Sequence, residues 1–280
     1  MEPLDRRQRL IEARLEDVCG DLEPDALRTS VSEAVLSGGK RVRPMVTLLS
    51  CETVGGTAEG ALDFGVGIEL VHTASLLVDD IIDRSAVRRG AESTWSAHGH
   101  GPAIVTSDGL LGEAFALFSD EPAAMRAVSR AMVELGEGEA TELTAMPTSE
   151  AEYVALARRK TGALFRAAAE LGAIAADGDR ATIDALGEYA ERVGVAFQIR
   201  DDVLDAVADP ATLGKPTGID ATLDRPSLLQ VTDLSPDEAN ERARAQADSA
   251  VAALESVEPA DADARSYLLD LAEFVVERER

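Results

Sequence analysis

Lysine is almost missing from this chain of 280 residues: Lys40, Lys160 and Lys215 stand against 24 arginines. Aromatic residues make up only 4%, cysteine occurs twice, and 27 basic residues face 52 acidic ones, a formal net charge of −25. Each shortage excludes something. A chain so acidic repels nucleic-acid backbones and anionic membrane surfaces, and with few aromatics it lacks the platforms on which single strands stack. Cys19 and Cys51 have no CxxC partner, which supports neither a disulfide framework nor a zinc site. No run reaches the roughly 18 apolar residues of a membrane span, because the richest window, Leu70 to Ile82, is broken by His72 and by aspartates. The first residues show no apolar stretch behind their charges, so no signal peptide is expected and a cytoplasmic location is.

What is present is helical. Hydrophobic residues make up 45% and recur at three and four spacing, with Ala, Leu, Glu and Arg abundant. The pattern predicts helices over about 4–18, 25–36, 42–54, 58–83, 102–118, 122–143, 150–159, 161–176, 181–206, 236–256 and 261–279. Gly and Pro clusters separate them, and Ser235-Pro236-Asp237-Glu238 reads as an N-cap with a first-turn proline. No run of alternating strand residues stands out. The expectation is a single all-α domain over 1–280.

Two segments carry the spacing DDxxD: Asp79, Asp80 and Asp83, then Asp201, Asp202 and Asp205. With 25 aspartates in the chain, one such spacing is expected about 0.2 times by chance and two only about once in fifty. On a helix, residues four apart share a face, and like charges there are unfavourable unless a cation lies between them. Apolar flanks argue against a merely solvated charge run. Carboxylates without His or Cys partners suit a hard cation such as Mg²⁺, which bridges carboxylates to phosphate oxygens. The cations complete the picture. Gly38-Gly39-Lys40-Arg41-Val42-Arg43 places two glycines and three cations at a helix start, where backbone N–H groups also attract anions. Arg88-Arg89-Gly90 follows the first aspartate motif, Lys160-Thr161-Gly162 sits between two helices, and Gly214-Lys215-Pro216 follows the second motif. That every lysine lies in such a motif points to phosphate binding.

The ordered segments GGKRVRP (38–44), HTASLLVDDIID (72–83), RRG (88–90), KTGALF (160–165), FQIRDDVLD (197–205) and LGKPTGID (213–220) resemble the trans-isoprenyl diphosphate synthases, or polyprenyl synthetases. The resemblance implies an isoprenoid synthase fold, helices around a deep cavity, and elongation of an allylic diphosphate by isopentenyl diphosphate. Carried over by position, Asp79, Asp80, Asp83, Asp201, Asp202 and Asp205 would hold Mg²⁺, three ions with substrate bound. Lys40, Arg43, His72 and Arg89 match the isopentenyl diphosphate site. Arg88, Lys160, Lys215 and Arg225 match the allylic diphosphate site. Thr161 and Gln198 would turn oxygens toward the developing cation. Ala74 and Ser75 stand where bulky residues floor the product tunnel, and being small they imply geranylgeranyl diphosphate or a longer product. Val71 or Phe115 is the alternative closure.

The family resemblance also implies a homodimer, and an acidic, lysine-poor composition resembles salt-adapted cytoplasmic proteins, here of a halophilic archaeon. Val78 and Glu142 are read as departures, Glu142 either changing the charge near the reaction chamber or standing exposed. Two rivals are weighed. A terpene cyclase would not need the GGKRVRP segment and Arg89, and a catalytically silent regulatory subunit would be expected to have lost aspartates that are all present.

Overall fold

The computed structural model describes residues 2–207 and 226–277, and it is built almost wholly of helices. In chain order these are α1 (Glu2–Gly20), α2 (Asp25–Leu36), α3 (Val42–Val54), α4 (Leu62–Ile82), α5 (Thr94–His98), α6 (His100–Phe118), α7 (Pro122–Thr144), α8 (Glu150–Ala157), α9 (Ala163–Ala175), α10 (Arg180–Val207), α11 (Leu228–Val231), α12 (Pro236–Glu255) and α13 (Ala262–Glu277). A π-helical turn, Arg158–Gly162, joins α8 to α9 without a break. The all-α expectation holds, with one exception: Val87–Arg88 (β1) and Ala91–Glu92 (β2) form an antiparallel ribbon. Strands of two residues are too short to leave an alternating pattern. Among the described residues, no helix is long and apolar enough to cross a membrane.

Helix α9 explains how the bundle closes. Its sequence, ALFRAAAELGAIA, is apolar and small on nearly every side, so it lies at the centre, against α3, α4, α7 and α10. Around it Leu48, Ile68, Leu70, Leu110, Phe118, Leu171 and Tyr189 are buried in one continuous core. A smaller apolar cluster, Tyr153, Val195, Ile199, Val203 and Leu228, lies against the part of α10 that carries the second aspartate motif. Ser235 caps α12 in a reciprocal box with Glu238, as its sequence predicts. Cys19 and Cys51 are buried free thiols whose pKa values burial pushes up to about 11.

Arginine does more than decorate the surface. Arg41, 2% exposed, donates to Glu12 at 2.8 Å, to Glu69 at 2.9 Å and to the Val35 carbonyl at 2.7 Å, tying α1, α2 and α4 to the start of α3. Of the three cations expected to attract an anion at this helix start, Arg41 is therefore spoken for by the core. The planar fork of its guanidinium, with several fixed donors, suits this triple contact in a way a lysine ammonium would not.

Candidate active site

A cavity of about 480 Å³ opens between α3, α4, α7, α8, the π-helical turn, α9, α10 and the ribbon. The face of α4 that carries His72, Ser75, Leu76 and Asp79 lines one side; Gln198, Asp201 and Asp202 of α10 line another. Cations enter from three directions: Arg43 from α3, Arg88 and Arg89 from the ribbon, and Lys160 from the π-helical turn.

The ribbon owes its shape to the RRG segment. Arg89 and Gly90 are the two turn residues, both at positive φ (53° and 80°), the arrangement of a type I′ hairpin. The guanidinium of Arg89 reaches back to donate to the Gly38 carbonyl. It rests against Gly39, whose φ is 144° and where an added Cβ would stand 2.9 Å from Arg89 Nη1. The paired glycines thus seat Arg89 as well as turning the chain. Arg43 lies 4.6 Å over the Phe165 ring, and its Nε is buried with no hydrogen-bond partner. Burial holds its pKa down to about 10. Burial, followed by Arg43, Arg89 and Arg88, also drives the His72 imidazole well below its ordinary range, so it is neutral. Lys40, in contrast, is exposed and sits 5.8 Å from the centre of the Phe274 ring, outside the cavity lining.

The opposite wall is a directed hydrogen-bond chain. Thr161 Oγ1 donates to Gln198 Oε1 at 2.9 Å, and Gln198 Nε2 donates to Asp202 Oδ1 at 3.0 Å. The other oxygen of Asp202 accepts from Tyr153 Oη at 2.6 Å and from the Leu228 backbone N–H at 2.8 Å. Asp202 is 3% exposed, and the side chains of Gln198 and Tyr153 and the Leu228 backbone all donate to its carboxylate. The chain forms because the KTG glycine meets another: a Cβ added at Gly194 would stand 3.0 Å from the Gly162 Cα, so the π-helical turn and α10 touch backbone to backbone. A π turn in place of the expected break is a common device at functional sites.

The aspartates divide by environment. Asp79 and Asp201 line the cavity, while Asp80 is 3% exposed, accepts from Arg88 Nε at 2.9 Å and borders a neighbouring cavity of about 540 Å³. Asp83 and Asp205 are half-buried beyond the lining. Lys215 and Arg225, assigned with the allylic diphosphate, lie outside the described residues. Among the described residues no three His, Cys, Asp or Glu side chains converge on one point. A hard ion held at Asp79 or at Asp201 would be completed by water and substrate oxygens, which is how Mg²⁺ is usually bound. The all-oxygen donor set fits it. Of the two small residues, Ser75 faces the cavity, whereas Ala74 is buried, its carbonyl accepting from Ser107 Oγ at 3.2 Å.

The polyprenyl synthetase family model matches residues 24–262. This chain belongs to that family. A short chain isoprenyl diphosphate synthase of Methanothermobacter thermautotrophicus is 35% identical over 240 residues, 82% of this chain and 74% of that protein. The crystal structure of a geranylgeranyl pyrophosphate synthetase from Pyrococcus horikoshii Ot3 superposes with a TM-score of 0.89 at 33% identity, covering 98% of this chain and 97% of that one. A polyprenyl synthase from Caulobacter crescentus, solved with calcium and isoprenyl diphosphate, reaches 0.87 at 28% identity, covering 99% and 98%.

In this polyprenyl synthetase two polar residues of the cavity lining, Tyr153 and Glu139, escaped sequence reasoning. Tyr153, which anchors Asp202, had no local signal beyond a buried position on α8. Glu139 lines the cavity beside Glu142, and both pair with Lys160. Glu142 is therefore an interior group, 15% exposed, and not a surface substitution. Val78, at 41% exposed, stands outside the lining.

Proposed function

We propose that this trans-prenyltransferase joins isopentenyl diphosphate to an allylic diphosphate in a Mg²⁺-dependent carbocation elongation, making geranylgeranyl diphosphate or a longer product. One observation carries the reading: in a chain of net charge −25, Arg43, Arg88, Arg89 and Lys160 converge on one cavity that Asp79 and Asp201 also line. Such a meeting of cations and hard oxygen donors suits two diphosphates and their metal.

Arg88 and Lys160 would take up charge on the departing allylic diphosphate as its C–O bond breaks. Bound Mg²⁺ would supply further positive charge to that group. Thr161 and Gln198 present oxygens at the wall where the allylic cation develops, and their mutual hydrogen bond fixes both. Arg43 and Arg89 would orient isopentenyl diphosphate so that its double bond forms the new C–C bond. The proton then lost passes to a diphosphate oxygen, and His72, which lines the cavity beside Arg43 and Arg89, would add a hydrogen-bond donor to the isopentenyl diphosphate.

Small Ser75 lines the cavity one helical turn below Asp79, which supports a longer product. Deeper on α4, Gly67 abuts the Phe118 ring, where an added Cβ would stand 2.4 Å from Cζ. Phe118 joins Val71 and Phe115 as a candidate for the closure of a deeper tunnel. Ser75→Phe is expected to shorten the product by at least one isoprene unit, read by chromatography of the dephosphorylated alcohols; an unaltered product distribution would remove Ser75 from that role. Ala74→Phe would instead overpack the α4–α6 contact, at about 1–3 kcal/mol. We further propose a homodimer, supported by the exposed Ile104 and Val105 on α6 and Val133 and Leu143 on α7.

The deciding test supplies labelled isopentenyl diphosphate and each allylic primer in turn, with Mg²⁺ in concentrated KCl. Elongation that stops with EDTA and in Asp79→Ala is expected. A folded sample that extends no primer would overturn the reading.

A further inference from the structure

Among the described residues, Lys160 is the one cavity cation held by two carboxylates. Its ammonium lies 3.0 Å from Glu139 Oε1 and is hydrogen-bonded to Glu142 Oε2. The two glutamates stand three residues apart on α7, on one face of the helix, and both point across to the π-helical turn. All three side chains are shielded, at 19%, 17% and 15% exposed, so their attraction is screened far less than that of a surface pair. The local sum is one positive charge against two negative ones. Burial works against the charged ammonium, yet Glu142 and Glu139 outweigh it and raise its pKa.

From this geometry we infer that Glu139 and Glu142 are positioning residues that restrain Lys160 and thereby weaken its hold on a diphosphate. The inference rests on the reading of the cavity as a diphosphate site. A diphosphate that reaches the ammonium competes with two carboxylates already in place, and when it leaves they reclaim the lysine. Affinity for the entering and the departing diphosphate is lowered together, which favours release of the diphosphate product. Arg88 is restrained differently, by the single buried carboxylate of Asp80. Lys160 is thus the cation whose strength is set from α7.

The experiment measures inorganic pyrophosphate binding in the presence of Mg²⁺ by titration calorimetry, on the full chain and on Glu142→Gln, Glu139→Gln and Glu142→Asp. Each Gln variant keeps the side-chain shape and removes one competing charge. Its pyrophosphate Kd is expected to fall about three- to tenfold, the scale of one part-shielded charged contact. Glu142→Asp is expected to stay near the parent value. The gain must vanish in a Lys160→Ala background, since a purely structural role for the glutamates would not depend on that ammonium. Unchanged or weaker binding in the Gln variants, or a gain that survives Lys160→Ala, overturns the proposal. Should Glu142→Gln fail to fold, Glu139→Gln carries the same expectation. Elongation assayed on the parent sample separates the two questions. Turnover without the affinity gain refutes only the restraint, whereas the gain without turnover refutes only the synthase reading.

Discussion

Asp202→Ala is expected to abolish elongation and to lower stability in the same variant. Its carboxylate accepts from Gln198, from Tyr153 and from the Leu228 backbone, and its removal leaves the last two as buried donors unanswered and Gln198 without its anchor at the cavity wall. At about 1–3 kcal/mol for each buried polar group left unpaired, with partial relaxation, the loss should be about 3–5 kcal/mol, read as a fall in the urea midpoint. The kinetic loss has a separate origin. Gln198 is oriented at one end by Thr161 and at the other by Asp202, so without Asp202 its oxygen no longer faces a fixed point in the cavity. A decrease in kcat of at least about a hundredfold is expected, the scale of losing one preorganised group. Asp202→Asn keeps one carbonyl oxygen and should recover part of the stability. A variant that melts like the parent would show that the hydrogen-bonded anchor has been misjudged.

The second large effect is expected far from the chemistry. Arg41→Met removes the only guanidinium that reaches Glu69 within hydrogen-bond distance among the described residues, and Glu69 is itself 2% exposed. Breaking a buried pair by deleting one partner typically costs about 3–5 kcal/mol, because the remaining charge is stranded. The Val35 carbonyl and Glu12 lose donors as well. Chemical denaturation should show the whole loss. Concentrated salt should recover little of it, since mobile ions cannot approach a pair this deep. A loss below 1 kcal/mol would mean that water replaces the guanidinium at Glu69.

Much of this was legible from the chain, for reasons that differ by residue. The helices follow from apolar spacing, and Asp79, Asp201, Lys160, Thr161, Gln198, Arg43, Arg88 and Arg89 carry motif signals that the fold brings to one cavity. Arg41 was not separable from its neighbours. Within GGKRVRP its charge is the same as that of Arg43, and only the return of Glu12 and Glu69 from distant helices turns it inward. Lys40 shares the motif but stands against Phe274 of α13, more than two hundred residues on in the chain. Tyr153 and Glu139 act through tertiary neighbours and leave no local pattern. Ala74 and Ser75 are adjacent in sequence, and only the packing against α6 decides which of them is turned away: Ser75 faces the cavity, while Ala74 is buried.

The backbone crossing at Gly162 and Gly194 has a consequence for how this site ages. Where helices meet through side chains, new rotamers cushion a substitution and the axes can slide. At this crossing there is no such cushion, and the two backbones act as a hard stop. Thr161 and Gln198 stand one and four residues from that stop, so their register is inherited from it and not from the surrounding shell. Core residues elsewhere are then free to drift without misaligning the pair.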